Sequence, residues 1–106
     1  MELRFSKSGD VLRFHPTGRI AGPDARKLGH AIYRAVEVGA GSLSASIDLG
    51  GCIDIDDAAI AVLAEWHSRC RREGIALRLV RVPSQLRERF MLRGIYDFDD
   101  DEPIIV

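Results

Sequence analysis

The sequence predicts an α/β domain built on a mixed sheet of four to five strands with three main helices. Two observations lead to this fold class. Short strand-like apolar runs alternate along the 106 residues with longer segments whose apolar residues recur at helical spacing. The first two strands are joined by a tight turn, whereas strands joined through helices must cross over and pair in parallel. The helices are then expected to pack as a layer against the sheet.

The first elements are a predicted hairpin and a helix. Apolar residues flank a turn at residues 8–10, a pattern typical of two short strands. An exposed edge at this hairpin would permit homodimerisation. Pro23 suits the first turn of a helix, where its missing N–H costs nothing. Residues 24–36 carry apolar side chains at helical spacing, and Gly39 and Gly41 end the helix.

The middle of the chain is predicted to form a strand, a short loop and a second helix. Residues 43–49 form the strand, and either Asp56 or Asp57 caps the helix. Residues 72–74 end this helix. Its inner side is expected to carry Ile60, Leu63, Ala64, Trp66 or His67, and Cys70.

The last third of the chain is predicted to add a strand and a third helix. Residues 75–82 form the strand, and Pro83 starts a helix that Gly94 ends. Residues 103–106 form a short final strand or a tail. Leu86, Phe90 and Leu92 are expected inside the helix, and Ile95, Tyr96 and Phe98 are expected to pack back on the core.

Composition and charge narrow the function classes. Apolar residues make up 46% of the chain and charged residues 29%, which is ordinary for a globular domain. The formal net charge of -1 gives no overall field that would attract nucleic acid or an acidic membrane, so neither is predicted as a partner. Clustered arginines in the second half form either a solvated helix face or a surface that docks a partner. They are Arg69, Arg71, Arg72, Arg78, Arg81, Arg87, Arg89 and Arg93.

The cellular location is predicted from the ends of the chain and its cysteines. Residues 1–5 do not begin a signal peptide, and no apolar run approaches the ~20 residues that span a bilayer. Cys52 and Cys70 fit reduced thiols better than a disulfide framework. We therefore expect a single cytoplasmic domain over residues 1–106, without direct insertion into a membrane.

The most informative stretch is residues 47–63, which predicts a buried strand, a short loop and a helix start. Such a loop presents free backbone N–H groups and the positive end of the helix dipole, where many folds bind an anion. Here the chain supplies its own carboxylates and then two alanines without reactive groups: Asp54, Asp56, Asp57, Ala58 and Ala59. The loop is therefore built like a site but lacks a nucleophile.

Three interpretations of these carboxylates stay open. They cap the helix, they bind a partner, or they hold a divalent cation such as Mg²⁺ or Ca²⁺. A cap contributes ~1 kcal/mol and requires only one carboxylate, so three exceed that need. The alternating oxygen-ligand spacing of a calcium loop is absent, and no metal site is predicted.

No catalytic constellation is visible elsewhere. His67 and Cys70 stand three residues apart, and a metal site there would need two further ligands, for which Cys52 and His30 are the candidates. A Cys–His nucleophile pair would lack an orienting group, and the chain has neither a Gly-x-Ser-x-Gly elbow nor a P-loop. The chain is therefore predicted not to be an enzyme and to use no cofactor.

Five pieces of the sequence occur in an order and at a spacing that match a known family. They are Gly9-Asp-Val-Leu12 with Thr17-Gly-Arg-Ile20, Ile47-Asp-Leu-Gly-Gly51, Asp56-Asp-Ala-Ala-Ile-Ala61, Ile75-Ala-Leu-Arg-Leu-Val80 with Pro83, and Leu92-Arg-Gly-Ile-Tyr-Asp-Phe98. Together they resemble the STAS domain family, the sulfate transporter and anti-sigma factor antagonist domain, over nearly the whole chain. The resemblance implies a single STAS-like domain and a loop that docks a partner.

The resemblance also marks a position of regulation that this chain has lost. In phosphorylated members of the family, a kinase modifies the hydroxyl residue at the position that Ala58 occupies here. Alanine has no hydroxyl, so phosphorylation of Ala58 is chemically impossible, and Asp57 supplies only a partial mimic of a phosphate charge of about -1.5 to -2. The partner-binding residues that the resemblance implies are Asp54, Asp56, Asp57, Ala58, Ala59 and Ile60.

Two kinds of protein partner follow from the resemblance. One is an anti-sigma factor or a serine kinase, for which this chain would be an antagonist in bacterial transcription regulation. The other is the ATPase of a lipid-transport ABC transporter, which a STAS subunit binds. A third reading is a sensor whose small ligand sits against Arg78, Arg81 or the acidic loop.

Overall fold

The computed structural model describes residues 1–9, 11–38, 44–96 and 98–99. The chain order is strand, strand, helix, two strands, helix, strand, helix and strand. The elements are β1 (Glu2–Ser8), β2 (Val11–Ile20), α1 (Gly22–Val38), β3 (Ser44–Asp48), β4 (Cys52–Ile55), α2 (Asp57–Arg72), β5 (Ala76–Val80), α3 (Ser84–Met91) and β6 (Phe98–Asp99).

The strands form one mixed sheet in the order β1-β2-β3-β5-β6, with β4 paired separately to the end of β2. The β1–β2 hairpin is antiparallel and places Phe5 opposite Phe14. All other pairs are parallel, as right-handed crossovers through helices require. The predicted α/β class, with a mixed sheet and three main helices, is confirmed. Among the described strands β1 lies at a sheet edge.

One face of the sheet packs against α1 and α2. Alternating residues of the strands point to this face, because a strand has a side-chain period of two. The largest of these buried side chains include Leu12, Phe14, Ile47 and Leu79 from the strands and Leu28, Ile32 and Ile60 from the helices. No helix in the described part of the chain is long and apolar enough to cross a membrane.

Helices α1 and α2 begin at the same end of the sheet. The backbone N–H of Asp56, just before α2, donates to the carbonyl of Ile20, just before α1, at 3.2 Å. The two helices run side by side from there. A Cβ atom added to Gly22 would lie 3.3 Å from the Cβ of Ala58, so the helix starts are in close contact.

The structure differs from the sequence-based predictions at three places. Residues 52–55, predicted as loop, form β4, which pairs with residues 18–20 of β2. Leu92, predicted inside, is 87% exposed because it lies about 200° around the helix from the buried Phe90. Tyr96 is also exposed, whereas Ile95 is buried as predicted. The predicted helix end at Gly39 and Gly41 and the predicted strand or tail at residues 103–106 lie outside the described residues.

Candidate functional site

The acidic loop joins β4 to α2, and Asp56 is its structural residue. Asp56 has an extended backbone (φ -76°, ψ 165°) at the N-cap, and its Oδ1 accepts the backbone N–H of Ala59 at 2.7 Å. This arrangement satisfies one of the N–H groups that a helix start leaves without a partner. Of the two predicted caps, Asp56 therefore takes the role, and Asp57 is the first residue of the helix.

Asp57 points away from the domain and pairs with the third helix. Its side chain is 88% exposed, and its Oδ1 lies 2.6 Å from Nη2 of Arg89. The contact joins residues 32 positions apart and ties the start of α2 to α3. An exposed ion pair of this kind contributes about 0–1 kcal/mol to stability. Asp57 therefore remains available to a partner at little energetic cost.

The remaining predicted site residues divide into a surface group and a buried group. Asp54 and Ala58 are exposed, whereas Ala59 and Ile60 are buried in the core under the loop. Ile53, which was not among the predicted site residues, directly precedes Asp54 in β4 and is 75% exposed. We name the set Ile53, Asp54, Asp57 and Ala58 the loop surface. Burial of Ile53 in a complex would remove this large apolar side chain from water.

A second polar cluster lies on the opposite side of β3 from the core residue Ile47. Asp48 at the end of β3 is 5% exposed and accepts hydrogen bonds from Arg81 Nε (2.9 Å) and Nη2 and from the Gly50 N–H (2.9 Å). Nδ1 of His15, on β2, lies 3.3 Å from its Oδ2. The parallel registers of β2, β3 and β5 bring these three residues together although they are far apart in sequence.

The environment of Asp48 favours its charged form. Burial opposes ionisation, but the hydrogen bonds from Arg81 and from the Gly50 N–H outweigh it and lower the pKa of the Asp48 carboxyl. Arg81 has a positive φ of 51°, which costs a residue with a side chain about 1–2 kcal/mol. The ion pair therefore holds Arg81 in a backbone conformation that the residue alone would avoid. The cluster borders a cleft of about 490 Å³ that Arg4 and Phe5 of β1 also line.

The cysteines are poorly suited to nucleophilic chemistry. Burial, and secondarily the charge of Asp48, raises the pKa of the Cys52 thiol to about 11. Burial, followed by the charge of Glu73, also raises the pKa of Cys70. Both are free thiols, and a neutral thiol is a weak nucleophile. Within the described ranges no three His, Cys, Asp or Glu side chains come together as metal ligands.

Comparison with known proteins decides the family. A family model described as "Mlab, STAS domain" matches residues 3–100. The chain belongs to the STAS domain family. No curated protein sequence matches this STAS domain.

Solved structures share the fold of this STAS domain. The anti-sigma factor antagonist SpoIIAA in its unphosphorylated form has a TM-score of 0.74 at 10% identity, covering 93% of this chain and 88% of its own. A putative anti-sigma factor antagonist from Thermotoga maritima has a TM-score of 0.76 at 14% identity, covering 94% and 87%. Mglu has a TM-score of 0.66 at 21% identity, and the match covers 77% of this chain but only 20% of that protein. At these identities the likeness concerns the fold.

Proposed function

We propose that this STAS domain is a non-catalytic regulatory module that binds a partner protein through the loop surface. The observation that carries the proposal is Ile53, a large apolar side chain that is 75% exposed. Asp54 follows it in β4 and Asp57 begins α2 three residues later, and both carboxylates are exposed, so we infer an apolar anchor with a polar rim. Ala59 and Ile60, which the resemblance also implies as partner-binding residues, are buried beneath this surface and would support it from the core.

The proposed binding does not depend on phosphorylation at residue 58. Ala58 is exposed in the first turn of α2, where a hydroxyl would be accessible, but its methyl group accepts no phosphate. Asp57 places a permanent negative charge one residue earlier, with fewer acceptor oxygens than a phosphate has. Binding is therefore constitutive and is regulated through the amounts of this protein and its partner.

The proposed partner is an anti-sigma factor or a serine kinase, as the fold shared with anti-sigma factor antagonists suggests. The second candidate is the ATPase of a lipid-transport ABC system. It is the other partner type that the STAS resemblance implies, and the matching family model is described as "Mlab, STAS domain". Both candidates use the same surface, so one set of variants tests both.

The test measures binding of the purified chain to candidate anti-sigma-factor kinases and ABC ATPases from its source organism. Ile53→Asp removes the apolar anchor, and Asp57→Lys reverses the charge at the helix start. Tyr96→Asp is the matched control, because Tyr96 is also an exposed apolar ring (66%) but lies just before β6. We expect both loop variants to weaken binding at least about tenfold with unchanged circular dichroism. Equal binding by all the variants would rule out the loop surface.

A further inference from the structure

The outer side of α2 carries a second surface, which extends along the helix from Ala61 to Arg72. It is a depression of about 960 Å³ bordered by α1, by α2 and by the turn after α3. From the sequence alone, the clustered arginines fit either a solvated helix face or a surface that docks a partner. Five arginines from these three segments line the depression: Arg26, Arg69, Arg71, Arg72 and Arg93.

The depression has an excess of positive charge. Across the described residues, Arg26, Arg71, Arg72 and Arg93 have no carboxylate within the 4.0 Å of an ion pair. Glu65 is the single carboxylate among the residues that line it. The field of this surface therefore attracts an acidic partner, although the whole chain has a net charge of only -1.

Arg69 is held in place by aromatic rings. Its guanidinium carbon lies 4.8 Å from the ring centroid of Tyr33 and 5.2 Å from that of Trp66. The hydroxyl of Tyr33 donates to Glu73 Oε1 at 2.8 Å, which anchors the ring on the neighbouring helix. A guanidinium stacked in this way loses less side-chain freedom when it binds a carboxylate.

The shape of the surface favours a helix as the occupant. Ala61, Ala64 and Ser68 are small and follow one another along the exposed side of α2, so another helix can approach closely. Glu65 stands in the middle and would repel phosphates, which disfavours a nucleic acid or a phospholipid. A partner helix, by contrast, could offer a basic residue that pairs with Glu65.

We propose that this surface docks an acidic amphipathic helix of a partner protein, with its small apolar side on Ala61 and Ala64 and its carboxylates on the surrounding arginines. The surface shares no residue with the loop surface. Along α2, at a rise of 1.5 Å per residue, Ala61 lies about 6 Å and Arg71 about 20 Å from Asp57. The domain would therefore engage a second protein segment along α2, beyond the first turn of that helix.

The test is a titration of the ¹⁵N-labelled full chain with a synthetic 18-residue helical peptide that has leucine and alanine on one side and glutamate on the other. A scrambled peptide of equal composition and a DNA duplex are the comparison ligands. We expect the helical peptide to change the NMR chemical shifts of the backbone amides around Ala61, Ser68 and Arg72. Affinity should fall at least about tenfold in Arg71→Glu/Arg72→Glu and in Arg93→Glu, the latter lying outside any helix.

Arg34→Glu is the matched control, because Arg34 is an exposed arginine of α1 that does not line the depression. It should bind the peptide like the native chain, and so should Asp57→Lys at the loop surface. Equal affinity for the scrambled peptide, equal weakening by Arg34→Glu, or absence of shifts at α2 would overturn the proposal. Tighter binding of the DNA duplex at these residues would overturn it in favour of a nucleic acid.

Discussion

The indole of Trp66 occupies the space next to Gly29 that any side chain at position 29 would need. A Cβ atom added to Gly29 would lie 2.2 Å from the indole Nε1 and 2.3 Å from Cδ1. The rings of His30 (5.0 Å between centroids) and Tyr33 (5.8 Å) complete the contact between α1 and α2. The glycine therefore sets how closely the two helices pack.

Gly29→Ala should destabilise the domain although alanine is the better helix former. Alanine gains about 1 kcal/mol of helix propensity, but the displaced indole costs about 1–3 kcal/mol of overpacking and disturbs its ring contacts. We expect a net loss in the free energy of unfolding, measured by urea denaturation. Gly22→Ala is the control, because its Cβ would lie 3.3 Å from the Ala58 methyl and 3.9 Å from the Ala58 carbonyl carbon, with no atom closer. A loss in Gly22→Ala as large as in Gly29→Ala would contradict this explanation.

Asp48 should make stability depend on acid pH. The hydrogen bonds from Arg81 and Gly50 lower its folded-state pKa below the ordinary 3.8, so its ionised form stabilises the fold. This contribution is fully present above pH 3.8 and is lost as the pH falls through the lower, folded-state pKa. Urea midpoints measured from pH 7 to pH 2 should decline less in Asp48→Asn than in the native chain.

The Asp48→Asn variant should also be less stable at pH 7, by about 1–3 kcal/mol, because the buried position loses charge-assisted hydrogen bonds. Arg81 is 59% exposed and can be hydrated when its partner is lost, which limits the cost. Asp24→Asn serves as the control for removing a carboxylate that is less buried and lies outside the cluster. Parallel pH profiles for Asp48→Asn and the native chain would show that another carboxylate controls acid unfolding.

Local features of the fold could be read from the sequence, and distant pairings could not. The hairpin, an aspartate cap at residue 56 or 57 and the buried side of α2 depend on neighbouring residues, which the sequence displays directly; the choice of Asp56 came from the structure. Strand β4 escaped prediction because it has only four residues, of which only Ile55 is buried, and because its pairing partner is residues 18–20 of β2. Leu92 lies two residues after the buried Phe90, about 200° around the helix, so the helical period places it on the opposite side from Phe90.

The cluster of His15, Asp48 and Arg81 could not be predicted from the sequence either, because its residues are far apart in the chain. Asp48 and Arg81 are 33 residues apart, and only the parallel register of β3 and β5 brings them together. One feature of the sequence could have pointed to this cluster, namely the aspartate in the apolar run Ile47-Asp48-Leu49. A buried strand position rarely carries a charge without a partner. Ile53 gave no signal, because exposure depends on how β4 lies on the domain.

Cys52 should react slowly with iodoacetamide in the native chain. Burial and the nearby Asp48 charge raise its pKa to about 11, so little thiolate exists at pH 8. We expect mass spectrometry to find residue 52 largely unlabelled after a treatment that fully labels the urea-unfolded chain. The rate should rise steeply as the pH approaches 11. Rapid labelling of Cys52 at pH 8 without unfolding would contradict the proposed thiol state.

Residues 54–60 should stay unphosphorylated in the native chain. A kinase that acts on STAS partners finds no hydroxyl there, because the segment contains only aspartate, alanine and isoleucine. The Ala58→Ser variant places a hydroxyl at an exposed position in the first turn of α2 and is the positive control. With kinase and ATP, phosphopeptide mapping should detect phosphate in this segment of the variant only. Phosphate mapped to residues 54–60 of the native chain would refute the prediction.

Variants of Asp57 and Arg89 can distinguish the contribution of their ion pair to stability from the contribution of Asp57 to partner binding. Arg89→Ala removes the ion pair but keeps the Asp57 carboxylate, so the free energy of unfolding should change by less than about 1 kcal/mol. Partner binding should then persist, whereas Asp57→Lys should weaken it. The charge-swapped double variant Asp57→Arg/Arg89→Asp restores the pair and should recover stability without recovering binding. Recovery of binding in that double variant would show that Asp57 acts only by positioning α3, and the loop surface would then lose its charged contact with a partner.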